Sequence, residues 1–458
     1  MTFSLRSLLE KNLRRFLDNP LIQRLLRNAS YLFSAQTISA GLSFAQGVLA
    51  ARTLGIAGVG QLEAIVQLSS NINRLTSFRM GELVISYVGE FTEANKKAQA
   101  AAVYKLAALS EFGSSLLAFA LVVVLAPWGA RFFAHDPGLA DLCVLYGFSI
   151  LANAIAESST GLLQYFNRFK RLAGVTILQS VLTLALITYA YLSSGALMHI
   201  VLAYLAGKVA WSTTVSLVAL VEARRQWGSG WWRTSLGVLR GRFRELYKFA
   251  FNTNITGTIT LITRDSETLW LAGFTSSVQV GYYKIAKAII NILVIPVNPL
   301  ISTTFRELAR EAARKQWANV RYLLRTGSTI AALYTLPASL GLVVLGRYVV
   351  GLYGAAFLPI SYYALLILLV GVVVDNILYW NRTVLLPLGY PSFPTKVHTI
   401  GAVLKVVGTV LLVPQFGAIG MAALLSLFML GTASILLVRT LGVLQAKDEN
   451  APLPEGAG

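Results

Sequence analysis

Long apolar runs separated by short polar or glycine-containing breaks dominate this chain. About 20 apolar residues cross a hydrocarbon core, so the pattern predicts twelve spans. Spans 1 to 6 are expected at Tyr31–Leu54, Gln61–Tyr87, Ala102–Leu125, Leu142–Tyr165, Leu172–Leu192 and Met198–Val221. Spans 7 to 12 are expected at Phe249–Phe274, Val278–Phe305, Leu323–Leu345, Leu358–Val384, Lys396–Val413 and Gly417–Leu437. The predicted fold class is an all-α polytopic membrane protein.

Polar residues inside the spans fall on helical faces. Span 1 carries Gln36, Ser39, Ser43, Gln46 and Thr53, and span 2 carries Glu63, Gln67, Ser70, Arg74, Ser77 and Gly81, at steps of three and four. Span 7 carries Thr253, Thr256, Thr260, Thr263 and Glu267, with Arg264 and Asp265 beside the stripe; span 8 carries Lys284, Lys287, Asn291 and Asn298. Charges are costly in lipid and mark cavities or buried pairs, while serine and threonine stripes also serve close helix packing. The four stripes are expected to line a hydrated cavity between two halves. Its cations would be Arg74, Arg264, Lys284 and Lys287, for which Glu63, Asp265 and Glu267 are alternative, structural partners. Further intramembrane charges are Glu111, Glu157, Lys208, Asp375 and Lys405, and Asn153, Glu157, Thr160 and Gln164 form a stripe on span 4. Glu157, Asp265 and Asp375 are candidates to carry a coupling ion.

Lysine and arginine placement tests the topology, because basic residues collect in cytoplasmic loops. Alternate connections hold 29 of the 39 basic residues, against three on the other side, Arg52, Arg131 and Arg347. Both termini are therefore expected in the cytoplasm. Residues 1–28, with leucines among arginines, read as a basic amphipathic surface segment. Residues 29–222 and 248–441 form two six-helix lobes, 223–247 a basic linker with Trp227, Trp231 and Trp232, and 442–458 a tail. Six spans per half give both halves one orientation, so the repeats are parallel. Gly60-Gln61-Leu62 at the start of span 2 resembles Gly281-Tyr282-Tyr283 in span 8.

Composition narrows the function classes. Residues are 55% hydrophobic and 13% charged, unlike a soluble domain. The net charge of +19 suits anionic membrane lipid rather than nucleic acid. One cysteine, Cys143, and three scattered histidines give neither a disulfide framework nor a zinc motif. No phosphate-cradling loop or catalytic set is found, so no cofactor is expected and the chain is read as a transporter, not an enzyme.

Twelve spans in two halves, Leu49-Ala50-Ala51-Arg52-Thr53-Leu54-Gly55 with Gly58-Val59-Gly60-Gln61-Leu62, and Val280-Gly281-Tyr282-Tyr283-Lys284-Ile285-Ala286, resemble the oligosaccharide flippase (Wzx-like) family of polysaccharide biosynthesis proteins. The resemblance covers Asn28 to Leu441. It implies movement of an undecaprenyl-pyrophosphate-linked oligosaccharide (an O-antigen, capsule or exopolysaccharide unit) across a bacterial inner membrane by alternating access. It implies a cationic central cavity, which Arg74, Arg264, Lys284 and Lys287 fit by location. Other polysaccharide-assembly proteins are further candidate partners. The alternatives are a drug or cation antiporter of the same superfamily and a membrane-embedded glycan polymerase or ligase.

Overall fold

The computed structural model describes residues 20–449 apart from 79, 262–265, 382 and 391. It describes only the backbone for 20–32, 252–260, 299, 302, 303, 306, 448 and 449. Residues 1–19 of the amphipathic segment expected over 1–28, and residues 450–458 of the tail expected over 442–458, thus lie outside the described residues, while 20–28 and 442–449 are helical.

Among the described residues the chain is helical throughout, without strands. In order, the helices are α1 (Pro20–Thr76), α2 (Met80–Leu83), α3 (Gly89–Glu93), α4 (Lys97–Phe133), α5 (Ala140–Ala152), α6 (Ala156–Tyr165), α7 (Phe169–Leu192) and α8 (Leu197–Trp227). After two short 3-10 turns come α9 (Phe243–Thr260), α10 (Glu267–Phe274), α11 (Ser277–Val294), α12 (Asn298–Ala313), α13 (Trp317–Tyr353), α14 (Ile360–Ile377) and α15 (Ser392–Glu449). A straight helix of 57 residues would be about 85 Å long, nearly three bilayer cores, so α1 cannot be one crossing. Gly55, at φ 66°, breaks it into spans 1 and 2. Gly417, at φ 53°, does the same in the 58-residue α15, separating spans 11 and 12. A left-handed residue costs little only as glycine. The helix that restarts after Gly417 is capped by Gln279, whose Oε1 accepts the Ala418 N–H at 2.9 Å.

Nine helices among the described residues are long and apolar enough to cross a membrane. Division of α1 and α15 makes eleven crossings, and the remaining expected span, Phe249–Phe274, holds most of α9 and all of α10. Two sets of six repeat one plan. The 37-residue helices α4 and α13 begin 220 positions apart. Spans 2 and 8 are both interrupted, after Thr76 by a break and a π-turn over Val84–Val88, and after Val294 by a 3-10 turn. Spans 4 and 10 are interrupted too, at 153–155 and after Ile377. The apolar pattern predicts these as continuous helices. Hydrophobicity reports burial in lipid, whereas the breaks depend on backbone partners that other helices provide.

The described residues form two compact units that cut across the sequence halves. One comprises residues 20–46, Ser69–Ala126 and Asp141–Ile259; the other comprises Gly47–Leu68, Pro127–Ala140 and the described residues from Thr260 to Glu449.

The first unit is built on a core of Leu83, Val84, Tyr87 and Val88 from span 2 with Val103, Tyr104, Leu162, Val215 and Ala219. The linker belongs to this core: Leu239 and Leu246 are buried in it, and Trp231 packs on Tyr104. Arg242 clamps the linker. Its guanidinium donates to both Glu90 oxygens at 2.9 and 3.1 Å and to Glu245, and it lies over the rings of Tyr87 and Phe91. Buried Glu222 of α8 is held by Arg168 at 2.7 Å and Arg171 at 3.3 Å.

In the second unit, Val297, Leu308, Tyr379, Trp380, Leu385 and Leu436 form one core. The segment 127–140 is fastened to this unit by His135 Nε2, which donates to the Ala272 carbonyl at 2.8 Å. Ser277 Oγ donates to the Ala134 carbonyl at 2.9 Å.

Candidate functional site

The second unit gathers most of the intramembrane charge. Span 2 and α11 approach backbone to backbone. A Cβ on Gly60 would lie 1.8 Å from the Ser277 carbonyl oxygen, and one on Gly281 would lie 2.3 Å from that of Ile56. Only glycine permits that distance. One turn further along each helix stand Glu63 and Lys284, whose Nζ and Oε2 are 2.6 Å apart. The other Glu63 oxygen accepts from Gln67 Nε2 at 2.9 Å. The Glu63 side chain is 6% exposed and that of Lys284 40%.

A turn beyond Lys284, Lys287 donates to Glu267 Oε2 at 2.9 Å. The same oxygen accepts from Tyr283 Oη at 2.9 Å, and Lys405 of α15 reaches Oε1. Glu267 and Lys405 are almost completely buried, with side chains 2% and 5% exposed. Lys287 and Lys284, three residues apart, share a face of α11. Glu267 opens α10, whose free N–H groups favour a carboxylate there. The two acids and three lysines leave one net positive charge.

Among the described residues the first unit holds the cations Arg74 and Lys208 and the acids Glu111 and Glu157. Arg74 is exposed near the end of α1, and its charge acts on Lys208 of α8. A polar cavity of about 380 Å³ is lined by Asn73, Ser77 and Glu82 from span 2, Glu111 from α4, and Asn153, Glu157, Thr160 and Gln164 from span 4. The span 4 stripe thus lies on one wall. Glu111 accepts the N–H groups of Glu157 at 2.7 Å and Ser158 at 2.9 Å, satisfying the start of α6 where span 4 is interrupted. Ser77 Oγ donates to Glu157 at 3.1 Å.

These positions revise the reading of several residues. Lys284 and Lys287 have acid partners, Glu63 and Glu267, and both acids are buried. Gln46 is buried and donates to the Ser180 carbonyl at 2.8 Å, which makes it a packing contact between spans 1 and 5. Ser39 Oγ is sealed from solvent with no hydrogen-bond partner among the described residues, while Gln36 and Ser43 are exposed and Ser70 is half-buried. Asn291 is exposed on α11. Asp375 accepts from Asn381 Nδ2 at 3.1 Å. Arg264 and Asp265 lie outside the described residues, as do the side chains of Thr256 and Thr260. The stripe on span 2 splits, with Glu63 and Gln67 in one unit and Ser77 in the other. Tyr283 and Gln279 gave no signal as site residues. A tyrosine or glutamine in an apolar run becomes informative only when the group it meets is known.

Interrupted spans, two repeats of six and buried charge in the membrane define a membrane transporter fold, and solved structures share it. The lipid II flippase MurJ in an inward closed conformation superposes with a TM-score of 0.68 at 16% identity, covering 92% of this chain and 90% of that one. An inward-facing multidrug resistance MATE transporter of the MOP superfamily gives 0.65 at 13% identity, covering 90% and 96%. The family model of the polysaccharide biosynthesis proteins matches residues 25–305, and the chain belongs to that family. Among curated relatives, a probable flippase, AglR, of Haloferax volcanii is 28% identical over 178 residues, 38% of this chain and 37% of the relative. That match spans little more than a third of the relative's length.

Proposed function

We propose that the chain is a flippase that carries an undecaprenyl-pyrophosphate-linked oligosaccharide outward across a bacterial inner membrane by alternating access, with both termini cytoplasmic. The observation that carries this reading is the surplus of cation within the membrane-embedded cluster, three lysines around Glu63 and Glu267. A buried positive excess favours an anionic ligand. Arg74 beside Lys208 supplies a second pair of cations, and arginine and lysine both suit phosphate by charge and multiple donors. Arg264 is a further candidate for the same role. Family membership and the relative described as a probable flippase point the same way.

The direction also agrees with physics. Moving two negative charges from a negative interior to the outside releases about 4.6 kcal/mol at a potential of about 100 mV, when no compensating charge moves.

The second reading, a drug or cation antiporter, draws support from the cavity lined by Glu82, Glu111 and Glu157. Under the flippase reading, Glu157 is the candidate there for a coupling proton or cation. The hydrogen bond from Asn381 to Asp375 suits a structural role instead.

Reconstitution decides between them. Proteoliposomes loaded by the cytoplasmic face with a labelled undecaprenyl-pyrophosphate glycan should move it to the other leaflet. Failure to move that lipid, together with export of a cationic dye, would reverse the assignment. Single cysteines replacing Arg233 and Arg314, in a Cys143→Ser background, should label from the cytoplasmic side only, and ones at Ser194 and Ser276 from outside. Labelling of the first pair from outside would overturn the orientation.

A further inference from the structure

We infer that Glu63 occupies, in the empty protein, the place of the substrate's phosphate on Lys284, and that an arriving anion displaces it and frees span 2 from α11. The inference rests on the anionic substrate proposed above.

The two lysines of α11 are in unlike situations. Lys287 shares Glu267 with Lys405 and Tyr283, a cluster of three donors on one nearly fully buried carboxylate. Removing Lys287 from it would leave buried charge unbalanced, so this pair is fixed. Lys284 is 40% exposed and, among the described residues, pairs with one carboxylate, which belongs to another helix. It can change partners at lower cost. A phosphate group brings more charge and more acceptor oxygens than a carboxylate, and so competes for an ammonium at the same distance.

The consequence for the helices follows from the glycines. Span 2 and α11 touch through backbone at Gly60–Ser277 and Gly281–Ile56, with no side chain from either glycine interlocked across the contact. Such a contact is close yet can part without rotamer changes. The ion pair one turn away then adds a charge-assisted bond across that contact. Once an anion sits on Lys284, Glu63 has lost its nearest counter-charge and faces a like charge in a poorly screened environment, which favours separation of the two helices. Binding of the anion and opening of this contact become one event.

Buried positions beside the contact report on it. Val59 and Ser277 are 6% and 7% exposed. Each is replaced singly by cysteine in a Cys143→Ser background, and the protein is reconstituted in liposomes with a water-soluble maleimide on both sides. Inorganic pyrophosphate is the probe, and its binding is followed separately by thermal shift. Both cysteines should react slowly without pyrophosphate and about tenfold faster with it, as expected for a shifted two-state population. Glu63→Gln should make them react fast without pyrophosphate, and pyrophosphate should add little. The exchanged pair Glu63→Lys with Lys284→Glu should restore slow labelling, which separates lost attraction from misfolding. Slow labelling in Glu63→Gln overturns the inference. So does pyrophosphate that binds without changing the labelling rate, an outcome that leaves the anionic substrate standing. Fast labelling in Glu63→Gln with no pyrophosphate binding to either protein overturns the displacement together with the anionic substrate.

Discussion

Glu63 and Lys284 each stand three residues beyond a glycine, Gly60 and Gly281, and the two side chains meet at 2.6 Å where those glycines bring span 2 and α11 together. The positions correspond between the two repeats. One repeat has placed an acid and the other a base at the same point of the same local motif, so two similar helix faces become an attractive pair.

The glycines at that contact should tolerate nothing larger. Gly60→Ala would place a methyl group 1.8 Å from a carbonyl oxygen, and Gly281→Ala one at 2.3 Å. Neither neighbour is a flexible side chain, so the helices must move. Each variant should reach the membrane at reduced abundance, or label readily at Val59→Cys, and should lose most transport. Normal labelling and transport in both would refute this packing.

Glu267 is the keystone of the buried cluster, and Glu267→Gln should lower thermal stability sharply. Removal of one partner from a buried ion pair costs about 3–5 kcal/mol, because the remaining charge is left uncompensated. Here Lys287 and Lys405 would both be stranded. Adding Lys405→Met should recover part of the loss, and a melting temperature unchanged by Glu267→Gln would dismiss the arrangement.

Arg74 is proposed to contact the anion. Arg74→Gln should reduce delivery of the glycan lipid about tenfold at equal abundance, and Arg74→Lys should restore only part, lacking the planar fork of donors. Full transport by Arg74→Gln at normal abundance would remove Arg74 from the site.

The clamp at Arg242 carries a pH signature. Hydrogen bonds from its guanidinium hold the Glu245 carboxyl below the ordinary carboxylate range. A group depressed on folding contributes stability that is present above its unfolded pKa and lost as pH falls through the folded value. Stability of the parent protein should therefore decline between about pH 5 and the lower folded value, and Glu245→Gln should flatten that decline. Identical pH profiles would show that the pair is too solvated to matter.

The sequence alone determined the membrane character, the twelve crossings and the pairing of two similar halves. Each rests on properties that add along the chain: apolar length against the thickness of the bilayer, and the local recurrence of Gly60-Gln61-Leu62 as Gly281-Tyr282-Tyr283. It also marked Glu63, Glu267, Lys284, Lys287 and Lys405 as costly residues, since charge in lipid demands a reason wherever it occurs. Tertiary structure decided which of them meet. Glu63 and Lys284 are 221 positions apart, and Glu267 and Lys405 are 138. No periodicity along one helix shows which face of another it will touch, so the contact of Gln46 with the Ser180 carbonyl gave no signal along the chain. The breaks in spans 4 and 8 were hidden for the same reason. A backbone can leave the helix in a membrane only when a distant group, such as Glu111 at the start of α6, takes up the N–H groups it exposes.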